Sequence, residues 1–267
     1  VLPSPVLLFG DAHLGIAPPD AEADLLRFLR AVPTHGQSLV IMGDLFDFWF
    51  AWRHAMPQTG YRVLAAIADL REAGLPVLWI GGNHDCWCGE TLEALTGAAY
   101  TLDPWRGRLG AWNALLAHGD GLREVEDRPY RRLRRVLRHP LAIRAFGWLH
   151  PNLSSAIALR SSHTSRTRRA GDEGRGLHAV AASWMQSPTD PELVVYGHSH
   201  VPDLRPAGRG IYANAGAWYL DRQFLRITDT QVARVRWTGS AEGDVLDVID
   251  RPREEPLTKR EEPVGRV

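Results

Sequence analysis

Five places in the sequence put a metal-binding or proton-transferring side chain directly after a short apolar run. Val6-Leu7-Leu8-Phe9 precedes Gly10-Asp11-Ala12-His13, and Leu39-Val40-Ile41-Met42 precedes Gly43-Asp44. Val77-Leu78-Trp79-Ile80 precedes Gly81-Gly82-Asn83-His84-Asp85, and Ala114-Leu115-Leu116-Ala117 precedes His118-Gly119-Asp120. The fifth run, Leu193-Val194-Val195-Tyr196, leads into Gly197-His198-Ser199-His200. Carboxylates, imidazoles and a neutral amide oxygen make a mixed oxygen and nitrogen donor set suited to Mn, Fe or Zn, and it requires no thiolate. A carboxylate in such a set can bridge two cations. Two cations about 3.5 to 4 Å apart polarise phosphoryl oxygens and lower the pKa of water, which is the chemistry of phosphoester hydrolysis. Each piece alone is unspecific, since a strand-end histidine is often a hydrogen-bonded core residue. Five in order, each closing an apolar run, form a constellation.

Positioning them requires strands. Continuous Val/Ile/Leu runs closed by glycine fit strands covered on both faces, and in layered α/β folds ligands gather beyond the strands' carboxyl ends. The ligand-bearing residues are therefore expected to meet along one edge of a sheet. In Asp11-x-His13 and His198-x-His200, a period of two puts both side chains on the same side of an extended backbone. Between the first two strands, Asp20 can cap a helix with Leu25, Leu26, Phe28, Leu29 and Val32 on its apolar face, ended by Gly36. A second helical pattern covers Tyr61 to Glu72, before Gly74 and Pro76. A shorter one lies near Glu90 to Leu95, and Leu109 to Ala117 reads as a strand pair. Ile211-Tyr212-Ala213 and an alternating hairpin over Phe224 to Trp237, turning near Thr228 to Thr230, close the pattern.

At 267 residues, one α/β domain with an insertion is the natural size, and the apolar content supports a large core. Charge is balanced, so no bulk electrostatic argument favours nucleic acid. All basic residues except Lys259 are arginine. Cys86 and Cys88 are too close for a C-x-x-C redox pair and too few for a disulfide framework. They read as reduced thiols that either pack near the strand end or supply soft ligands beside Asp85. With no long apolar span and no basic segment leading a hydrophobic one at the start, a cytoplasmic enzyme is expected.

Ligand-bearing positions recur roughly every 33 to 39 residues up to His118, then about 80 residues separate His118 from His198, which points to an insertion. The organisation expected is a core over 1–120 and 188–238, a helical cap over 121–187, and a polar extension over 239–267 that is flexible or surface-packed. Tyr130, Leu133, Val136 and Leu137 have helical periodicity beside Arg131, Arg132, Arg134, Arg135 and Arg138.

The ordered motifs Asp11-Ala12-His13, Gly43-Asp44, Gly82-Asn83-His84-Asp85, His118-Gly119 and Gly197-His198-Ser199-His200 resemble the calcineurin-like metallophosphoesterases over about residues 6 to 237. The resemblance implies a four-layered α/β/β/α sandwich and two divalent metal ions. The first ion would take Asp11, His13, Asp44 and His200, and the second Asp44, Asn83, His118 and His198, with Asp44 as the bridge. It assigns His84 to protonating the leaving oxygen or stabilising phosphoryl charge, with Asp85 orienting its ring.

Within that superfamily, Gly43-Asp44-Leu45-Phe46-Asp47-Phe48-Trp49 and the insertion after Asp120 look like the UDP-2,3-diacylglucosamine diphosphatases of lipid A synthesis. Those enzymes usually employ manganese to release UMP and 2,3-diacylglucosamine 1-phosphate. The principal branch commonly carries arginine at the position of His84, so the match is closer to sister branches, which Asn214-Ala215-Gly216-Ala217-Trp218 fits as well. The implied partner is a lipid-linked nucleotide, with peripheral contact at the inner membrane and no nucleic acid.

Leu141, Ile143, Phe146, Trp148, Leu149, Leu153 and Ile157, interleaved with Arg144 and Arg160, could meet acyl chains and a diphosphate, or could pack on their own domain under a solvated arginine face. Arg166, Arg168 and Arg169, near Ser161, Ser162 and Thr164, read as phosphate-binding residues or as part of a mobile loop. The rival enzyme reading is a phosphodiesterase or phosphatase on soluble nucleotides or phosphoproteins, because the metal site alone does not choose the group attached to phosphorus.

Overall fold

The computed structural model describes residues 1–87, 89–156, 174–240 and 242–252. The first three apolar runs form β1 (Val6–Phe9), β2 (Ser38–Ile41) and β3 (Val77–Ile80), with every residue buried. These strands run parallel, with β4 (Ala99–Thr101) beside β3. The hairpin β10 (Gln223–Ile227) and β11 (Gln231–Arg236) joins antiparallel to β1. A final strand, β12 (Asp244–Asp250), completes a seven-stranded sheet in the order β12-β11-β10-β1-β2-β3-β4. The second sheet has five strands in the order β5-β6-β7-β9-β8. These are β5 (Trp105–Leu109), β6 (Trp112–Ala117), β7 (Leu193–Tyr196), β8 (Asp203–Ala207) and β9 (Gly210–Asn214).

The alternation of side chains builds the layers. Val6, Leu8, Val40, Met42, Leu78 and Ile80 point inward from the first sheet and pack on Trp112, Ala114, Leu116, Leu193 and Val195 of the second. Leu7, Phe9, Leu39, Ile41 and Trp79 point outward to α1 (Pro19–His35), α2 (Tyr61–Glu72) and α3 (Gly89–Thr96). On the far side, Leu115, Val194, Tyr196 and Tyr212 pack on Leu177 and Ala181 of α6 (Arg175–Ser183). The result is an α/β/β/α sandwich, and it explains why the runs are apolar without alternation: both faces of each strand are covered.

The expectation of one sheet edge is corrected. β1, β2 and β3 belong to one sheet and β6 and β7 to the other, so the site residues converge from the ends of two stacked sheets. Asp20 lies in the first turn of α1, where it accepts an ion pair from Arg222 at 2.6 Å; the N-cap position is Pro18, without a side-chain cap. Within the polar extension, 244–250 is strand β12, tied down where Arg251 pairs with Glu192 at 2.7 Å.

Between β6 and β7, ahead of α6, lie α4 (Arg128–Leu137), α5 (Pro140–Phe146) and a helical run over 151–156. They dock by two kinds of contact. Phe146 meets Phe48 and Phe50 with ring centroids 6.0 and 5.1 Å away. Asp120 accepts the Tyr130 hydroxyl at 2.8 Å and stands 3.3 and 3.2 Å from the guanidinium groups of Arg134 and Arg138. The outer face stays wet: Leu141, Trp148 and Leu153 are 70%, 84% and 54% exposed.

Candidate metal centre

Each site residue sits in the turn that follows its strand, and the backbone there is unusual. Asp11, His13, Asp44, His198 and His200 all have positive φ, between 45° and 65°, a region that non-glycine residues seldom occupy. Backbone bonds hold the strained turns together: Asp11 N donates to Gly43 O, His13 N to Asp44 O, and Gly197 N to His118 O, at 2.9 to 3.0 Å. Close approach also demands glycine at two points. A Cβ on Gly82 would lie 2.1 Å from Asp44 Oδ1, and one on Gly43 would lie 2.6 Å from His118 Nδ1.

The two carboxylates divide their oxygens in the same way. Asp11 Oδ2 accepts His198 N at 3.1 Å while Oδ1 faces His200 Nε2 at 3.3 Å and His13 Nε2 at 4.0 Å. Asp44 Oδ1 accepts His84 N at 2.9 Å while Oδ2 faces His118 Nε2 at 3.3 Å and the Nε2 atoms of His13 and His84 at 3.9 Å each. The imidazoles are turned by the opposite ring nitrogen. His118 Nδ1 donates to Met42 O and His84 Nδ1 to Asp47 O, both at 2.7 Å, so each ring presents Nε2 to the cluster.

The residues fit divalent cations on three grounds. Asp11 Oδ1, Asp44 Oδ2 and His118 Nε2 are buried with no contact of hydrogen-bond geometry, the last two facing each other at 3.3 Å as an ion pair. Atoms of this kind are costly in an interior unless something else satisfies them. Donor atoms group within 4.8 Å as Asp11–His13–His200, His13–Asp44–His84 and Asp44–His118–His198, with Asp44 shared by the last two. The donors are the oxygen and imidazole set that hard and borderline cations accept. Asn83, half-buried, lies in the same turn between Gly82 and His84.

Electrostatics run the same way. Burial opposes charge on Asp44, but His118, His84 and His13 outweigh it and hold the carboxyl well below its ordinary range. Burial likewise opposes charge on His118, and the Asp44 carboxylate outweighs it, pushing the imidazole up to about 10. In the metal-free protein this pairing stabilises the fold fully below about pH 6.5 and is lost as pH rises through about 10. A cation taking His118 Nε2 must displace that proton. Cation binding at pH 7.5 is therefore expected to release about one proton per chain from this residue, read as a buffer-dependent enthalpy in titration calorimetry. An enthalpy independent of buffer ionisation would contradict it.

One sequence expectation changes, and one alternative is decided. Asp85 does not orient the His84 ring: its oxygens accept the amides of Gly82 at 2.7 Å and Leu45 at 3.0 Å, so it locks the two turns together, and the ring is held by the Asp47 carbonyl. Burial, then the Asp44 charge, push Asp85 up to about 6. Burial pushes the Cys86 thiol up to about 12, and no metal-capable group among the described residues includes it, so the packing alternative holds for Cys86. Cys88, and with it Arg166, Arg168 and Arg169, lies outside the described residues. Residues unassigned by the sequence also line the site. Tyr219 sets its ring 5.4 and 5.8 Å from those of His13 and His200, and Asn214 Nδ2 donates to Gly197 O at 3.0 Å. Asp47 carried a signal, as the one charged residue in the run Leu45 to Phe50.

The profile of the calcineurin-like phosphoesterases matches residues 4–202. The chain belongs to that family, and is a metal-dependent hydrolase. It is 28% identical over 221 residues to a UDP-2,3-diacylglucosamine hydrolase of Porphyromonas gingivalis, covering 74% of this chain and 84% of the relative. A protein of the same name from Yersinia pestis is 27% identical over 235 residues, covering 85% and 96%. Among solved structures, the Escherichia coli phosphoesterase YfcE superposes with a TM-score of 0.48 at 16% identity, covering 92% of this chain and 99% of that one.

Proposed function

We propose that this protein hydrolyses the pyrophosphate bond of UDP-2,3-diacylglucosamine, giving UMP and 2,3-diacylglucosamine 1-phosphate, with two manganese ions. Asp11, His13, Asp44 and His200 would hold the first ion, and Asp44, Asn83, His118 and His198 the second. When bound, the pair supplies Lewis acidity toward phosphoryl oxygens and lowers the pKa of water. The chain's own residues do the rest. Asp44 holds its Oδ2 toward both halves of the cluster, at 3.3 Å from His118 Nε2 and 3.9 Å from His13 Nε2. His84, with Nδ1 fixed on the Asp47 carbonyl, directs Nε2 into the cluster. From there it stabilises charge on a phosphoryl oxygen or gives its proton to the leaving oxygen.

The observation that carries the substrate is the cap: an exposed apolar face, Leu141, Trp148 and Leu153, on a segment anchored through Asp120, two residues beyond His118. Arginines run along α4, with Arg128, Arg131, Arg132 and Arg135 beside one cleft. Apolar and cationic surface together suit acyl chains with a diphosphate, and suit peripheral contact at the cytoplasmic face of an inner membrane. No described helix is long and apolar enough to cross a membrane. The names carried by the relatives from Porphyromonas gingivalis and Yersinia pestis support the same substrate. Arg166, Arg168 and Arg169 are proposed to contact its phosphates.

The test is release of UMP from UDP-2,3-diacylglucosamine in detergent with added manganese, beside a water-soluble phosphodiester. The variant Trp148→Ser is expected to raise KM for the lipid about tenfold, as loss of one buried apolar side chain would, and to leave turnover of the soluble diester unchanged. No UMP release, with good activity on soluble nucleotides or phosphopeptides, would favour the rival substrate class.

A further inference from the structure

We propose that Asp47 is a positioning residue that sets two imidazoles of the site at once. A buried carboxylate inside an aromatic loop is costly unless its neighbours compensate. Asp47 is 1% exposed and lies between Phe46 and Phe48, with Trp49 stacked on Phe46 at 5.7 Å. Its Oδ1 stands 3.4 Å from His13 Nδ1 and 3.8 Å from His84 Nδ1, charge contacts just outside hydrogen-bond geometry. Its carbonyl accepts from His84 Nδ1 at 2.7 Å. Its amide donates to Leu14 O at 3.0 Å, so the residue is stitched to the segment that follows His13. The two rings it touches meet edge to face at 5.0 Å.

The two contacts have different consequences. A carboxylate at Nδ1 favours the tautomer with hydrogen there, leaves the Nε2 lone pair for a cation, and strengthens the ring as a ligand. The side chain of Asp47 therefore governs His13 and, through it, the first cation. The carbonyl governs His84 and survives any substitution of the side chain. The inference rests on the two-cation reading above and adds a residue that the ligand motifs do not include.

The test is Mn(II) binding to the full chain by calorimetry and by electron paramagnetic resonance, which distinguishes a spin-coupled pair from isolated ions. Wild-type protein is expected to bind two ions and give the coupled signal. Asp47→Asn, which keeps the shape and removes the charge, is expected to weaken one site about 10- to 100-fold, leave the other at wild-type affinity, and show uncoupled Mn(II) at two equivalents. The smaller Asp47→Ser serves the same purpose, so a folding defect in one leaves the other to decide. Adding His13→Ala to Asp47→Asn is expected to weaken that site no further than His13→Ala alone, because both act through one ring. Two wild-type affinities in a folded Asp47 variant overturn this inference alone. A wild-type chain that binds fewer than two ions overturns the two-cation reading, and this inference with it.

Discussion

Asp44→Ala is expected to lose paired cation binding and hydrolysis together, with kcat falling by at least about a thousandfold, equivalent to roughly 4 kcal/mol of transition-state stabilisation. The expectation follows from where the side chain stands. One oxygen, Oδ1, fixes the turn that carries Asn83 and His84 by accepting the His84 amide. The other, Oδ2, is buried with no contact of hydrogen-bond geometry at the meeting point of His13, His84 and His118. Alanine therefore removes a bridge and loosens a turn. It also leaves a buried His118 without the carboxylate that holds its pKa up. Steady-state kinetics on a soluble phosphodiester, with metal analysis on the same preparation, checks it. A variant that keeps two ions per chain, or turnover within tenfold of wild type, would contradict the assignment.

His84→Ala should separate the two effects that Asp44→Ala merges. The ring lies against the cluster with Nε2 3.9 Å from Asp44 Oδ2, yet it is outside the two ligand sets proposed above. Its removal is expected to leave metal content nearly intact while turnover falls about 10²- to 10³-fold, the usual cost of losing a positioned proton donor or charge stabiliser. KM should change less than kcat, because the contact is made to charge that develops during reaction. Unchanged turnover would remove the catalytic role of His84. Lost cations would make it a ligand or a structural support.

Much of this arrangement was legible in the residues. β1, β2, β3, β6 and β7 declared themselves as apolar runs because each is covered on both faces, and a strand buried on both faces has no polar positions to alternate with. Their terminal Asp, Asn and His residues announced a metal site because few other uses bring so many donors to strand ends in order. Two sheets followed only from the family resemblance; which strand joins which sheet was not readable in the runs themselves, since β1 to β3 and β6 to β7 have the same local pattern and differ only in which partner they pair with. The role of Asp85 is not legible in the sequence, because adjacency to His84 says nothing about where its oxygens point; the fold aims them at backbone amides of two turns. β12 escaped because its exposed edge position tolerates a polar composition, including Asp244, Asp247 and Asp250. Asp20 is not the cap its position suggests, since Pro18 and Pro19 begin the helix before it and leave it to pair with Arg222.

The strain in the site points to one use. Five of its residues occupy left-handed backbone conformations, and each such residue costs on the order of 1 kcal/mol or more. A fold keeps such turns when the side chains they aim are needed, and here the turns aim oxygens and imidazole nitrogens at a common volume. The central claim is that this volume holds a pair of divalent ions around Asp44. The most direct measurement strips the purified protein with a chelator, reconstitutes it with excess manganese, removes unbound metal by gel filtration, and counts ions by elemental analysis. Two ions per chain is the predicted result; a chain that emerges with none, or with one, would contradict it.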